Sequence, residues 1–123
     1  MSNLEKVREV IESQYIGTCT IKELQTNKNP VTKIDESIEV EIAKDKPCRK
    51  SYKNIKASAN NDEINNSVTQ VVELFIAPEI IIKPGSKIIV TQNGETITYT
   101  RSGEPAKYPT HQQVLLDLWK GWA

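Results

Sequence analysis

The sequence predicts a mainly β fold: a small antiparallel β-barrel, or a sandwich, with an N-terminal helix and a long mobile loop. Three observations lead to this prediction. Short segments rich in β-branched residues recur along the chain, turn signals separate them, and helical periodicity is clear only near the N-terminus. The chain has 123 residues, the size of one domain, so we expect a single domain over 1–123.

A helix is expected over residues 2–15. Ser2 and Glu5 have the S-x-x-E spacing of a capping box. Apolar residues at helical spacing follow, namely Leu4, Val7, Val10 and Ile11. We expect this helix to cover one end of the sheet, and a partner-binding role is the alternative interpretation.

Residues 16–118 are expected to form the barrel. Alternation of apolar and acidic residues over Ile38 to Ile42 predicts a half-buried strand, and Cys48 to Tyr52 predicts a separate short strand after Pro47. The segment 25–36 is polar and is expected to be a connection that turns at Asn29-Pro30.

Later strands are predicted at 68–76 and on both sides of Asn93-Gly94. The first is nearly continuous in apolar and β-branched residues, as in a central strand. The Asn-Gly dipeptide predicts a hairpin, because both central positions of a type I′ turn need positive φ. Residues 114–122 fit a helical stripe and a strand equally well, so periodicity alone leaves both open.

The segment 53–67 is expected to be a mobile loop that becomes ordered on assembly. It is rich in asparagine, poor in apolar residues, and longer than most connections within a compact domain. Its candidate assembly residues are Ala57, Asn60, Asn61, Asp62, Glu63, Asn65 and Asn66.

Charge is balanced overall but uneven along the chain. Sixteen basic and 16 acidic residues give zero net charge, so no global field steers the protein to nucleic acid or to a membrane. Six basic residues lie between 44 and 56, directly after an acidic segment: Lys44, Lys46, Arg49, Lys50, Lys53 and Lys56. We expect them to pair with acids on neighbouring strands; a basic edge facing DNA or an acidic subunit is the alternative.

The sequence has no recognisable catalytic or metal-binding pattern. Cys19, Cys48 and the single histidine, His111, lack metal-ligand spacing, and the two cysteines are expected to be reduced and buried in strands. No phosphate-binding or nucleophile-elbow motif occurs. No apolar run could span a bilayer and no secretory signal is evident. We therefore expect no enzymatic activity, no cofactor and no membrane insertion.

The C-terminal third resembles a known family. The residues that carry the resemblance are Ile88-Ile89-Val90-Thr91-Gln92-Asn93-Gly94, Tyr99, Ser102-Gly103, Pro105 and Tyr108-Pro109-Thr110-His111-Gln112-Gln113-Val114-Leu115-Leu116. Together with the strand that begins Pro47-Cys48-Arg49, they resemble small head-tail connector proteins of long-tailed phages and of Gram-positive prophage-like elements. The resemblance spans roughly residues 40 to 118 and includes no catalytic signature.

The resemblance implies a head-completion or stopper subunit. Such a protein forms a homo-oligomeric ring beneath the portal and adaptor proteins, closes the DNA exit channel and presents a surface to a tail protein. The implied location is the virion, and the host cytoplasm before assembly. It also implies a final strand from about residue 110, a channel or inter-subunit role for the 53–67 loop, and non-specific contact with packaged DNA.

Two further interpretations concern contacts. Trp119 and Trp122 are candidate interface residues, because tryptophan is enriched in binding hot spots, and packing against the N-terminal helix is the alternative. His111 is expected to be a structural hydrogen-bonding residue. The main alternative function is a small nucleic-acid-binding β-barrel that uses the basic segment 44–56.

Overall fold

A computed structural model describes residues 3–56 and 68–122, and within them the fold is mainly β. One helix and six strands occur in these residues: α1 (Asn3–Glu12), β1 (Gly17–Lys28), β2 (Asp35–Lys56), β3 (Val68–Ile76), β4 (Lys87–Gln92), β5 (Glu95–Lys107) and β6 (Gln112–Leu118). All neighbouring strands are antiparallel and close into a barrel in the order β1-β2-β3-β6-β5-β4. The predicted antiparallel barrel with an N-terminal helix is confirmed.

The barrel interior is filled by alternate side chains of the strands, as the period of a β-strand requires. The burial of β4 and β6 alternates strictly over their inner residues. The core consists of Cys19, Ile21, Ala43, Cys48, Leu74, Ile76, Ile82, Ile88, Val90, Tyr99, Val114 and Leu116. These residues come from all six strands and from the segment before β4, so the core depends on closure of the barrel.

Two strand boundaries confirm the sequence prediction closely. β3 runs from Val68 to Ile76, as expected, and Asn93 and Gly94 have φ values of 54° and 75° in the turn between β4 and β5. The C-terminal segment, for which strand and helix were both open, forms strand β6 from Gln112. Its pairing with β3 and β5 closes the barrel, and that long-range pairing is what selects the strand.

Two expectations about β1 and β2 are wrong. The polar connection expected over 25–36 is only 29–34, because β1 continues to Lys28 and β2 begins at Asp35, although the turn does lie at Asn29-Pro30 as predicted. The two strands predicted at 38–42 and 48–52 are one strand of 22 residues. Asp45, with φ 48°, lies in the stretch where the β1–β2 register shifts, so a local irregularity rather than a loop joins its two halves.

The prediction of a loop over 53–67 is wrong for its first four residues. Backbone pairing of β2 with β3 continues to the Lys56–Val68 pair, so residues 53–56 are strand. The candidate loop residues Ala57, Asn60, Asn61, Asp62, Glu63, Asn65 and Asn66 lie outside the described residues.

The helix is shorter and more exposed than predicted. It ends at Glu12, where the amides of Gln14 and Tyr15 bond to carbonyls three residues earlier. None of its described residues is buried, and Leu4, Val7 and Val10 are each more than half exposed. The helix therefore does not bury its apolar stripe as a cover for the sheet would.

Candidate interaction surfaces

The basic segment of β2 divides between the outside and the inside of the barrel. Lys44, Lys46, Arg49 and Lys53 are exposed, whereas Lys50 is only 5% exposed. The side chain of Lys56 lies outside what the structure describes. Sequence alone grouped six basic residues, and strand alternation removes Lys50 from their common surface.

The expected pairing of the basic segment with an acid on a neighbouring strand occurs among the described residues at Lys53, which pairs with Glu73 of β3. The acidic and basic segments do not pair with each other, because both lie on the same strand. The acids are opposite β1, with Glu41 facing Lys22 and Asp35 facing Lys28 in register. The described ion pairs of the two segments lead elsewhere, from Glu39 to Lys87 at 3.1 Å and from Lys53 to Glu73 at 3.9 Å.

Lys50 occupies a polar site inside the barrel wall. Its Nζ donates to the Tyr99 hydroxyl at 3.2 Å and lies 5.3 Å and 5.5 Å from the ring centres of Tyr52 and Tyr99. Burial lowers the pKa of Lys50, but the Tyr52 and Tyr99 hydroxyls favour the ammonium and make the net shift upward. Burial raises the pKa of Tyr99, so the pair is an ammonium beside a neutral phenol.

Gln92 completes the sheet next to Gly17, the first residue of β1. Pairing of β1 with β2 stops at Gly17–Cys48, and beyond that point the Gln92 side chain takes the place of a strand. It accepts from the Lys50 amide at 2.7 Å and donates to the Lys50 carbonyl at 2.9 Å. A Cβ on Gly17 would lie 2.8 Å from the Thr91 carbonyl oxygen and 3.1 Å from Gln92 Oε1, so glycine makes this approach possible.

The two tryptophans lie together at the end of the described chain. Trp119 and Trp122 pack edge to face, with ring centres 4.6 Å apart, and Lys87 Nζ is 5.8 Å from the Trp119 ring centre. Trp119 also lines a groove of about 910 Å³ together with Tyr52, Tyr99 and Leu118. Both polar and aromatic side chains line this groove.

β1 and β2 extend beyond the barrel as a two-stranded ribbon, residues 23–42, which we call the arm. β1 pairs with β4 only from Thr18 to Lys22, and β2 pairs with β3 only from Cys48. The arm strands therefore pair only with each other among the described residues. Five large apolar side chains on the arm are exposed, namely Leu24, Val31, Ile34, Ile38 and Ile42.

The helix is held to the barrel by polar contacts. The Arg8 guanidinium pairs with Glu79 and, on the helix itself, with Glu12 at 2.6 Å. Hydrogen bonding from Arg8 lowers the pKa of Glu79. Arg49 of β2 donates through Nη1 to Oε1 of Gln14, which lies just after the helix, at 3.4 Å. These contacts are exposed, so the attachment of α1 is weak compared with strand pairing.

His111 makes structural contacts of the kind expected from the sequence. Its Nδ1 is 3.0 Å from the Thr110 hydroxyl and its Nε2 is 3.3 Å from Gln113 Nε2. Its ring stacks on Tyr108 with centres 4.9 Å apart. Both ring nitrogens therefore have neighbours that fix the ring on the outside of β6.

Cys19 and Cys48 are free thiols in the core, both fully buried, as expected. A hydrogen bond to Cys48, together with burial, raises the pKa of Cys19, which keeps it protonated at neutral pH. In residues 3–56 and 68–122, no three His, Cys, Asp or Glu side chains are grouped so that they could hold a metal ion. The described helix is too short and too polar to cross a bilayer.

No protein-family model matches the chain, and no curated protein sequence matches it significantly. A similar solved structure is that of the phage-like element PBSX protein xkdH from Bacillus subtilis. It is 12% identical to this chain, with a TM-score of 0.49, and the alignment covers 85% of this chain and 96% of that one.

Several residues of these surfaces were not predicted from the sequence. Gln92 and Tyr99 appeared only among the residues that carry the resemblance, and Lys87 was assigned no role, since the contacts of all three depend on which strands become neighbours. The arm had one signal in the sequence, the alternation over Ile38 to Ile42, which was interpreted as a half-buried strand. Exposure of both faces depends on where β3 and β4 stop, and the sequence of the arm does not contain that information.

Proposed function

We propose that the protein is a non-catalytic structural subunit of a phage or prophage head-tail connector. In this role it forms a ring beneath the portal and adaptor proteins, closes the DNA exit channel and provides a surface for a tail protein. The observation that carries the proposal is the resemblance of residues 88–116 to such connectors. Those residues form β4, β5 and most of β6, three adjacent strands of the barrel wall.

The distribution of apolar side chains supports an assembly role. Large apolar residues are exposed on α1, on the arm and on β6, among them Val7, Val31 and Leu118. Exposed apolar side chains that lie close together, as the five on the arm do, are typical of surfaces that bind other proteins. A subunit that repeats around a ring gains binding energy from many weak contacts, so no single patch has to be large.

The positions of the reactive side chains support a non-catalytic role. Both thiols are buried, with the pKa of Cys19 raised, and the His111 nitrogens face Thr110 and Gln113. A nucleophile needs an accessible group beside a base, and these residues do not make that arrangement.

Three regions make contacts in this proposal. The loop residues 57–66 reach the channel or a neighbouring subunit, and the Trp119–Trp122 pair contacts another protein. The exposed bases of β2 contact either packaged DNA, without sequence preference, or an acidic surface of another subunit. The protein resides in the virion and in the host cytoplasm before assembly.

The test is to mix the purified protein with tailless, DNA-filled heads of the same phage and to image the vertices by electron microscopy. The expected result is added density on the portal vertex with DNA retained. A variant lacking residues 57–66 is the matched control: it should still bind the vertex but allow DNA to leak. Bare vertices with the intact protein would contradict the proposal.

A fluorescence-anisotropy titration with short duplex and single-stranded DNA distinguishes the alternative function. Binding by the isolated protein that weakens steeply with salt, together with bare vertices, would favour a nucleic-acid-binding barrel. Lys44→Glu with Lys46→Glu should then abolish the binding.

A further inference from the structure

Strand β2 is divided into an acidic and a basic half. Residues 35–41 contain four acids and no base, whereas 44–56 contain six bases and one acid. The acidic half belongs to the arm and the basic half to the barrel wall. One continuous strand therefore has opposite charge at its two ends.

The charges at the outer ends of the two halves are too far apart to neutralise one another within one molecule, whereas Glu41 and Lys44, where the halves meet, are only three positions apart. Glu36 and Lys46 are ten positions apart, which corresponds to roughly 30 Å along a strand. Charges at the surface are screened over about 8 Å at physiological ionic strength. Glu36, Glu41, Lys44 and Lys46 are exposed and make no ion pair within the described residues. The arm also contains two bases, Lys28 opposite Asp35 and Lys33 at its tip, but its five acids outnumber them. The arm therefore presents net negative charge to a second molecule, and the wall presents net positive charge.

The arm also has unused backbone and apolar groups. Its outer strand edges have no partner strand within residues 3–56 and 68–122, and Ile38 and Ile42 are 42% and 40% exposed. Unpaired edges and exposed apolar side chains on a projecting ribbon are typical of a segment that binds another chain. Two ion pairs secure its base to the barrel wall, from Glu39 to Lys87 and from Glu23 to Lys83.

We propose that the acidic arm of one copy binds the basic wall of β2, Lys44 to Lys53, in a second copy of this chain. Charge complementarity favours this occupant, since the surface that the acidic arm needs is present on the same protein. The two surfaces are different, so the contact is head-to-tail, and its repetition produces a ring or an open filament. The inference rests on the proposed function and specifies its inter-subunit contact.

Charge reversal tests the pairing. Glu36→Lys with Glu41→Lys makes the arm basic, and Lys44→Glu with Lys46→Glu makes the wall acidic. Each double variant alone should raise the dissociation constant of self-association about tenfold, as measured by sedimentation velocity at low salt. An equimolar mixture of the two should restore it, because alternating copies recover both contacts. Glu95→Lys with Glu104→Lys, the same charge change on exposed residues of β5, is the control and should have no effect.

Cross-linking tests the same contact with variants that each remove one charge, whereas the charge-reversal variants each reverse two. Glu36→Cys and Lys46→Cys variants, mixed and treated with a bismaleimide, should give mainly the 36–46 adduct over the 36–36 and 46–46 adducts. The native thiols are fully buried, so the wild-type protein is the unreactive control.

The outcomes separate this inference from the proposed function. Self-association that ignores both charge reversals, or adducts without preference for the 36–46 pair, overturns the inference and leaves the connector role standing. A monomer up to millimolar concentration that gives no 36–46 adduct even on capped heads also overturns it. An arm that cross-links only to another head protein assigns it a different partner and overturns it as well. Bare vertices overturn the connector role. The charge-reversal experiment still decides, independently of that result, whether the arm binds the wall of a second copy.

Discussion

The barrel wall and the arm are built from the same two strands but differ in what stabilises them. Within the wall, β1 buries Cys19 and Ile21 completely and pairs on both edges. Beyond Glu23 the same strand is exposed on both faces and pairs with β2 alone. The wall is held by a shared core, whereas the arm depends on its own hydrogen bonds and turn. Strand formation and burial are therefore separate properties here, and exposed strand is available for binding.

The largest effect should come from the core of the wall. Leu74 is fully buried, so Leu74→Ala should lower the free energy of unfolding by about 2–5 kcal/mol. Leu24→Ala in the arm removes the same atoms from a side chain that is 39% exposed, and should cost less than about 1 kcal/mol. Urea denaturation of both variants measures the difference. Equal losses would show that the arm has a core of its own.

The second-largest loss of stability should come from Gln92, whose side chain bonds to β2 beside the first residue of β1. Gln92→Leu leaves the amide and carbonyl of Lys50 without a partner, and should cost about 2–4 kcal/mol. Gln25→Leu, an exposed glutamine of the arm, is the matched control and should be nearly neutral. Chemical denaturation gives the loss. A neutral Gln92→Leu would mean that water replaces the side chain at no cost.

The two turns offer a smaller comparison. Gly94 has φ 75° and open space around it, so Gly94→Ala should cost about 1 kcal/mol through backbone strain alone. Lys33, at the tip of the arm, also has positive φ, 59°. Lys33→Gly should leave global unfolding unchanged and slow amide exchange within the arm. A shift of the global midpoint by Lys33→Gly would show that arm and wall unfold together.

The smallest effect concerns the helix. Hydrogen bonding from Arg8 lowers the pKa of Glu79 below its ordinary value of 4.5. The Arg8–Glu79 pair therefore contributes its full stabilisation above pH 4.5, and this stabilisation is lost as the pH falls through the folded-state pKa of Glu79. Because the pair is exposed, Glu79→Gln should cost only about 0.3 kcal/mol at neutral pH.

The protection factors of the α1 amides, which are the exchange rates of an unstructured peptide at the same pH divided by their own, test that dependence across this pH range. Glu79→Gln should lower the protection factors at neutral pH and remove the loss of protection that the wild-type protein undergoes in acid. Glu9→Gln on the helix is the control. An identical acid response in wild type and Glu79→Gln would assign the attachment of α1 to other contacts.

Particular residues show how far sequence reasoning reaches. Asn93-Gly94 predicted its hairpin because the conformation is a local property of those two residues. The apolar run at 68–76 predicted β3 for the same reason. Residues 25–28 were misassigned because their polar side chains are typical of a loop, while the hydrogen bonds that make them strand come from residues 35–39. Lys50 was placed in a surface patch, since nothing near it in sequence predicts Tyr99 as its neighbour.

The sequence by itself determined the mainly β class, the β4–β5 hairpin and the buried cysteines. Each follows from residue type, alternation or local turn chemistry. Periodicity left strand and helix open for β6, and the resemblance implied the strand that the structure confirms. Only the tertiary structure decided that Lys50 is buried and that β1 and β2 extend beyond the barrel as an arm. These properties depend on which strand pairs with which and on where pairing stops. The strand pairing is set by the free energy of closing the whole barrel, and the sequence of one local segment does not determine that free energy.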